Sequence, residues 1–97
     1  MILELADFRI HPGQQAAFEA ALREGIATTL SQSPGFISAR GQRGIESPER
    51  YLLQVEWQTL DDHMQGFRNG PLFPVWRGLV GGYFAGPPHV EHFDTVA

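Results

Sequence analysis

A chain of 97 residues, 42% of them hydrophobic and 19% charged, holds enough apolar material for one packed core, which excludes intrinsic disorder and predicts a single domain over residues 1–97. Its formal charge of −4 sets eleven acidic residues against seven arginines scattered from Arg9 to Arg77, so no basic run is available for a phosphate backbone and nucleic acid is not an expected partner. The absence of cysteine removes disulfides, thiolate chemistry and Cys-ligated zinc or iron–sulfur centres.

No apolar run approaches the roughly 18 residues that span a bilayer, and the first residues carry acid where a signal peptide carries base. A cytoplasmic protein without membrane contact is expected.

From Ile2 to Ile10 the residues Ile2, Ala6, Phe8 and Ile10 share one face and Leu3, Leu5, Asp7 and Arg9 the other, which predicts a central strand partly buried on both sides. His11-Pro12-Gly13 ends it. From about Pro12 to Ser31, Phe18, Leu22, Ile26 and Leu30 recur every fourth position, the spacing of an amphipathic helix. Ser33-Pro34-Gly35 breaks that helix, and a second strand follows over Phe36 to Arg43. Turn residues at Gly44 to Pro48 lead into an alternating strand, Arg50 to Trp57, predicting a hairpin.

Thr59 is placed as an N-cap whose hydroxyl accepts from the Asp62 N–H, so a second helix is predicted from Leu60 to about Arg68. It pauses at Asn69-Gly70-Pro71 and resumes through Trp76 and Leu79 until Gly81-Gly82 stop it. The last strand is expected at about His89 to Thr95. The order strand, helix, strand, strand, helix, strand is the ferredoxin-like α+β layout, βαββαβ with a four-stranded antiparallel sheet. Large apolar residues in both alternation classes, Leu3 and Leu5 against Phe8 and Ile10, predict that the helix-free sheet face is covered in a homodimer.

His63 falls on the inward side of the second helix with Leu60 and Phe67. It is either a neutral core imidazole satisfied by a carbonyl or a general base, kept unprotonated by its place in the first helical turn. Aromatic residues gather in the second half of the chain; of these Trp57, Phe67, Trp76 and Tyr83 are candidates to line a pocket for a flat ring, against the alternative of plain core packing. Arg68 and Arg77 flank the same region as candidate oxyanion donors or as solvated partners of the helix dipole. His89 and His92 lie three apart on a strand and face opposite ways, so no metal site is evident, and His11 belongs to a turn. Gly78 to Gly82 lacks the spacing of a dinucleotide fingerprint.

The His11-Pro12-Gly13 turn into a long helix, Ser33-Pro34-Gly35-Phe36, Tyr51-Leu-Leu-Gln-Val-Glu-Trp57 running into the helix that bears His63, and Pro71-Leu-Phe73 together resemble the antibiotic biosynthesis monooxygenase (ABM) domain family of the dimeric α/β-barrel superfamily, over nearly the whole chain. The resemblance implies a homodimer whose two sheets close a barrel, a pocket between sheet and helices in each protomer, and oxidation of a small aromatic, quinol or enolic substrate by dioxygen with no cofactor. It makes His63 the base and Trp57, Arg77 and Tyr83 the residues that orient ring or oxyanion. The heme-degrading branch matches poorly, since Trp76 and Gly66 stand where that branch has His and Trp and the first strand has no Asn. A small-molecule-binding or stress-related dimer without turnover, and an isomerase or decyclase of the same superfamily, are the alternatives.

Overall fold

A computed structural model describes residues 1–97. Its elements are β1 (Ile2–Arg9), α1 (Gln15–Thr28), β2 (Phe36–Arg43), β3 (Arg50–Trp57), a π-helical turn (Asp62–Phe67), α2 (Leu72–Val80) and β4 (His89–Phe93). The strands form one antiparallel sheet in the order β2-β3-β1-β4, the predicted ferredoxin-like α+β topology.

Alternation in β1 and β3 sends Ala6, Phe8, Tyr51, Leu53, Val55 and Trp57 to the helix side, where they meet Phe18 and Leu22 of α1 and Trp76 and Val80 of α2. Aromatic edges fill this core: the Phe18 ring meets Phe8 at 5.5 Å and Tyr51 at 4.8 Å between centroids, both in edge-on geometry. The other face of the sheet carries the half-buried Leu3, Leu5 and Leu52 together with Phe93.

Where the elements differ from expectation, local chemistry accounts for it. α1 begins at Gln15 rather than Pro12, because Gly13 takes a left-handed φ of 79° that a helix cannot include. It ends at Thr28 rather than Ser31: the hydroxyls of Thr28, Thr29 and Ser31 bond back to the carbonyls of Glu24, Gly25 and Ala27, and the chain tightens into a 3₁₀ turn at Leu30–Gln32. β4 stops at Phe93 instead of Thr95, Leu3↔Phe93 being the last pair of its ladder with β1. Gly81-Gly82 do not stop the second helical segment at once; it continues as a 3₁₀ turn to Tyr83.

Candidate active site

The segment that carries His63 starts where the sequence predicts. Thr59 Oγ1 accepts from the Asp62 N–H at 3.1 Å, and Asp62 Oδ2 accepts in return from the Thr59 N–H at 3.2 Å, a reciprocal cap. Gly35 lies against Asp62 with φ 85°, leaving no room for a Cβ beside that carboxylate. The helix then widens: the Arg68 N–H reaches five residues back to the His63 carbonyl at 2.7 Å, a π-type bond in place of the α-helical turn expected. This turn lays His63 and Phe67 over the end of the sheet.

Beneath them the strand register brings together three residues of distant sequence. Glu4 of β1 faces His92 of β4 directly, and Trp57 of β3 sits diagonally from Glu4 on the same face. The Trp57 indole N–H donates to Glu4 Oε1 at 2.9 Å, and His63 Nε2 lies 3.2 Å from that same oxygen. His63 Nδ1 is 2.8 Å from His92 Nε2, and the Trp57 and His63 rings stack at 5.3 Å with 20° between planes. Nδ1 of His63 is thus hydrogen-bonded to His92, and Nε2 stands within ion-pair distance of the carboxylate.

Burial sets the protonation of this cluster. Burial pushes the Glu4 carboxyl up to about 7, against the opposing Trp57 hydrogen bond and the positive field of Arg68. Burial, then His92 and Arg68, push His63 down to about 4, and burial and Arg68 also lower His92. The imidazole is therefore unprotonated near pH 7, as expected, but through desolvation rather than the helix terminus. Between about pH 4 and 7 the Glu4–His63 contact joins a neutral carboxyl to a neutral imidazole and is no ion pair.

A cavity of about 610 Å³ opens above the cluster, between the sheet and the turn leading to α2. Glu4 and His63 form its polar end, Arg68 and Arg77 add positive charge, and Phe8, Leu53, Phe67, Phe73, Trp76 and Phe84 supply apolar wall. Of the residues singled out in the sequence, His63, Phe67, Arg68, Trp76 and Arg77 line this cavity. Trp57 and Tyr83 do not: Trp57 is wholly buried behind His63, and Tyr83 packs its ring 5.8 Å from Phe18.

Sequence reasoning missed Glu4 and His92 as members of the cluster. The signal for Glu4 was present, as a carboxylate in the otherwise apolar class Ile2, Ala6, Phe8, Ile10. His92 shares the inward class of Val90, which is visible only once β4 is paired with β1.

The model of the family described as antibiotic biosynthesis monooxygenase matches residues 1–78. The chain belongs to the antibiotic biosynthesis monooxygenase family. A candidate family member of known crystal structure from Bordetella bronchiseptica is 40% identical, superposes with a TM-score of 0.94, and is matched over 99% of this chain and 97% of its own. The uncharacterised protein YczJ of Bacillus subtilis (strain 168) is 36% identical over 96 residues, 99% of this chain and 100% of YczJ. SnoaB of Streptomyces nogalater, a cofactor-independent oxygenase, shares the fold at a TM-score of 0.84 and 18% identity, with 99% of this chain and 93% of SnoaB covered. In this ABM chain no helix is long and apolar enough to cross a membrane.

Proposed function

We propose that this ABM protein is a cofactor-independent monooxygenase that oxidises a small aromatic, quinol or enolic substrate with dioxygen. The observation that carries this reading is one cavity with an apolar wall, an unprotonated imidazole, His63, at its polar end, and two arginines, Arg68 and Arg77, beside it. Loss of the hydroxyl proton at the His63 end converts a phenol to a phenolate, whose ring carbon is electron-rich enough to reduce dioxygen directly. That carbon bonds to one oxygen atom to give a hydroperoxide; loss of water then leaves a quinone, so one oxygen stays in the product and the other departs as water. The arginines stabilise the anionic oxygen, while Phe67 and Trp76 hold the ring and exclude water.

Family membership and the fold shared with the oxygenase SnoaB support the assignment. A homodimer closed sheet to sheet belongs to the same proposal, supported by Leu3, Leu5, Leu52 and Phe93 on the helix-free face. Oxygen uptake against a panel of quinols, anthrones and polyphenols, with His63→Ala as control, tests the reading: uptake above autoxidation that falls roughly 10²-fold in the variant supports it. Conversion under anaerobic conditions, or saturable binding without turnover, refutes it in favour of an isomerase or a binding dimer.

A further inference from the structure

The cluster contains a carboxylate that the base assignment leaves unused, and its two oxygens differ in what they touch. An indole N–H can only donate, so Trp57 fixes Glu4 Oε1 as an acceptor. His63 Nε2 approaches the same atom, which makes Nε2 the protonated nitrogen whenever Glu4 is ionised. His63 Nδ1 then carries the lone pair and accepts from His92 Nε2. In that tautomer neither nitrogen of His63 is free to take a proton from a ligand. Glu4 Oε2 makes no hydrogen bond within the chain, yet it is not among the atoms sealed from solvent, although the Glu4 side chain is only 9% exposed. Glu4 itself belongs to the wall of the cavity.

We propose that Glu4 is a catalytic residue whose Oε2 takes the proton of the substrate hydroxyl, while Trp57 holds Oε1 and His63, backed by His92, stands against it, leaving Oε2 for the cavity. The proposal rests on the oxygenase reading and identifies the atom that performs its first step. The substrate O–H bond breaks, its electron pair stays on the substrate oxygen, and a bond forms from the proton to Oε2. The product carboxyl is neutral, which suits a site closed off from water. His63 becomes a positioning residue acting through Glu4. Titratable or charged groups facing Glu4 come from two elements: His63 in the π-helical turn with Arg68 at its end, and His92 on β4. A carboxyl held near pH 7 is matched to removing a proton at that pH, where an imidazole held near 4 is a weak acceptor.

The test uses the whole protein and 3-nitrophenol as probe, buffered above the Glu4 midpoint of about 7, so that the carboxylate starts ionised, and below the probe's own pKa, so that phenolate absorbance on binding reports proton transfer without any turnover. Wild type is expected to bind the probe saturably and to ionise it, with carboxyl-labelled glutamate showing one ¹³C resonance that moves to the protonated position on binding. Glu4→Gln keeps an acceptor for Trp57 and is expected to bind the probe un-ionised, its phenolate signal reduced at least tenfold. His63→Gln is expected to reduce that signal less than Glu4→Gln does. Equal ionisation in wild type and Glu4→Gln, or a wild-type glutamate spectrum that does not respond to bound probe, overturns the assignment and leaves the oxygenase reading standing. Failure of wild type to bind the probe at all overturns both. The NMR arm needs only wild type, so a variant that folds poorly does not decide the result.

Discussion

Trp57 reaches diagonally across β1 and β3 to donate its indole N–H to Glu4 Oε1 at 2.9 Å, joining two buried side chains 53 residues apart in the chain. The sequence suggests Trp57 as a ligand-facing residue, yet it stands one layer behind the cavity, where it fixes which oxygen of Glu4 is occupied. Aromatic bulk and a single donor explain the choice of residue: the ring fills the core under His63, and the N–H satisfies an acceptor that burial would otherwise leave bare.

Replacing that donor while keeping the ring tests the point. Trp57→Phe is expected to lower stability by about 1–3 kcal/mol, from lost packing and a buried acceptor left unpaired. It also removes a hydrogen bond that favours the ionised carboxyl, so the Glu4 midpoint moves above about 7. Carboxyl ¹³C titration and denaturant unfolding measure the two effects separately.

The pH dependence of stability follows from two opposed groups. Glu4, raised from 4.5 to about 7, binds its proton more tightly when folded; its contribution is fully present below 4.5 and is lost as pH rises to about 7. His63, lowered from 6.5 to about 4, contributes stability that is present above 6.5 and lost as pH falls to about 4. The two slopes oppose each other between 4.5 and 6.5, so wild-type stability should be nearly flat there. Each contribution is on the order of 3 kcal/mol. Glu4→Gln should uncover stability that rises with pH across this window, and His63→Gln stability that falls. Urea unfolding at several pH values checks this, and identical flat profiles in both variants would contradict it.

Gly25 lets α1 pack closely against Trp76 of α2. A Cβ there would stand 2.7 and 2.8 Å from two carbons of the Trp76 ring, a rigid group that must move as a whole. Gly25→Ala should cost about 1–3 kcal/mol by overpacking. Because Trp76 also lines the cavity, binding of an aromatic probe should weaken together with the thermal midpoint.

Loss of the reciprocal cap should act on the π-helical turn first. Thr59→Ala removes the acceptor for the Asp62 N–H, at a cost of about 0.5–2 kcal/mol. Amide exchange is expected to rise over residues 60–68 before it rises in the sheet, with His63 losing its fixed place against Glu4.

The helix-free sheet face supplies a test of assembly. Leu3 pairs with Phe93 and Glu56, and Leu5 with Gln54 and Glu91, so an apolar stripe crosses an otherwise polar surface. Light scattering at micromolar concentration should report a dimer, and Leu5→Arg should shift it toward monomer while circular dichroism stays native.

Period-two alternation placed β3 and the Ser33-Pro34-Gly35 break placed β2 at their observed bounds, and Thr59 with Asp62 marked the start of the segment bearing His63, because these signals are written within a few residues of one another. His63, Phe67, Trp76 and Arg77, which line the cavity, were singled out on the same ground: they share one stretch of chain whose inward face can be read locally. Glu4 stood out only as a charge on an apolar face, and nothing near it in sequence says what it meets. Its partners are set by strand register, which puts His92 opposite and Trp57 on the diagonal, and by the docking of a π-helical turn onto the sheet. Burial follows from that docking, and burial is what moves Glu4 up and His63 down. The sequence by itself determined the elements and their faces, since short-range periodicity and capping suffice for those. The tertiary structure alone decided which carboxylate meets which imidazoles beside the cavity, since desolvation and long-range register exist only once the chain has packed.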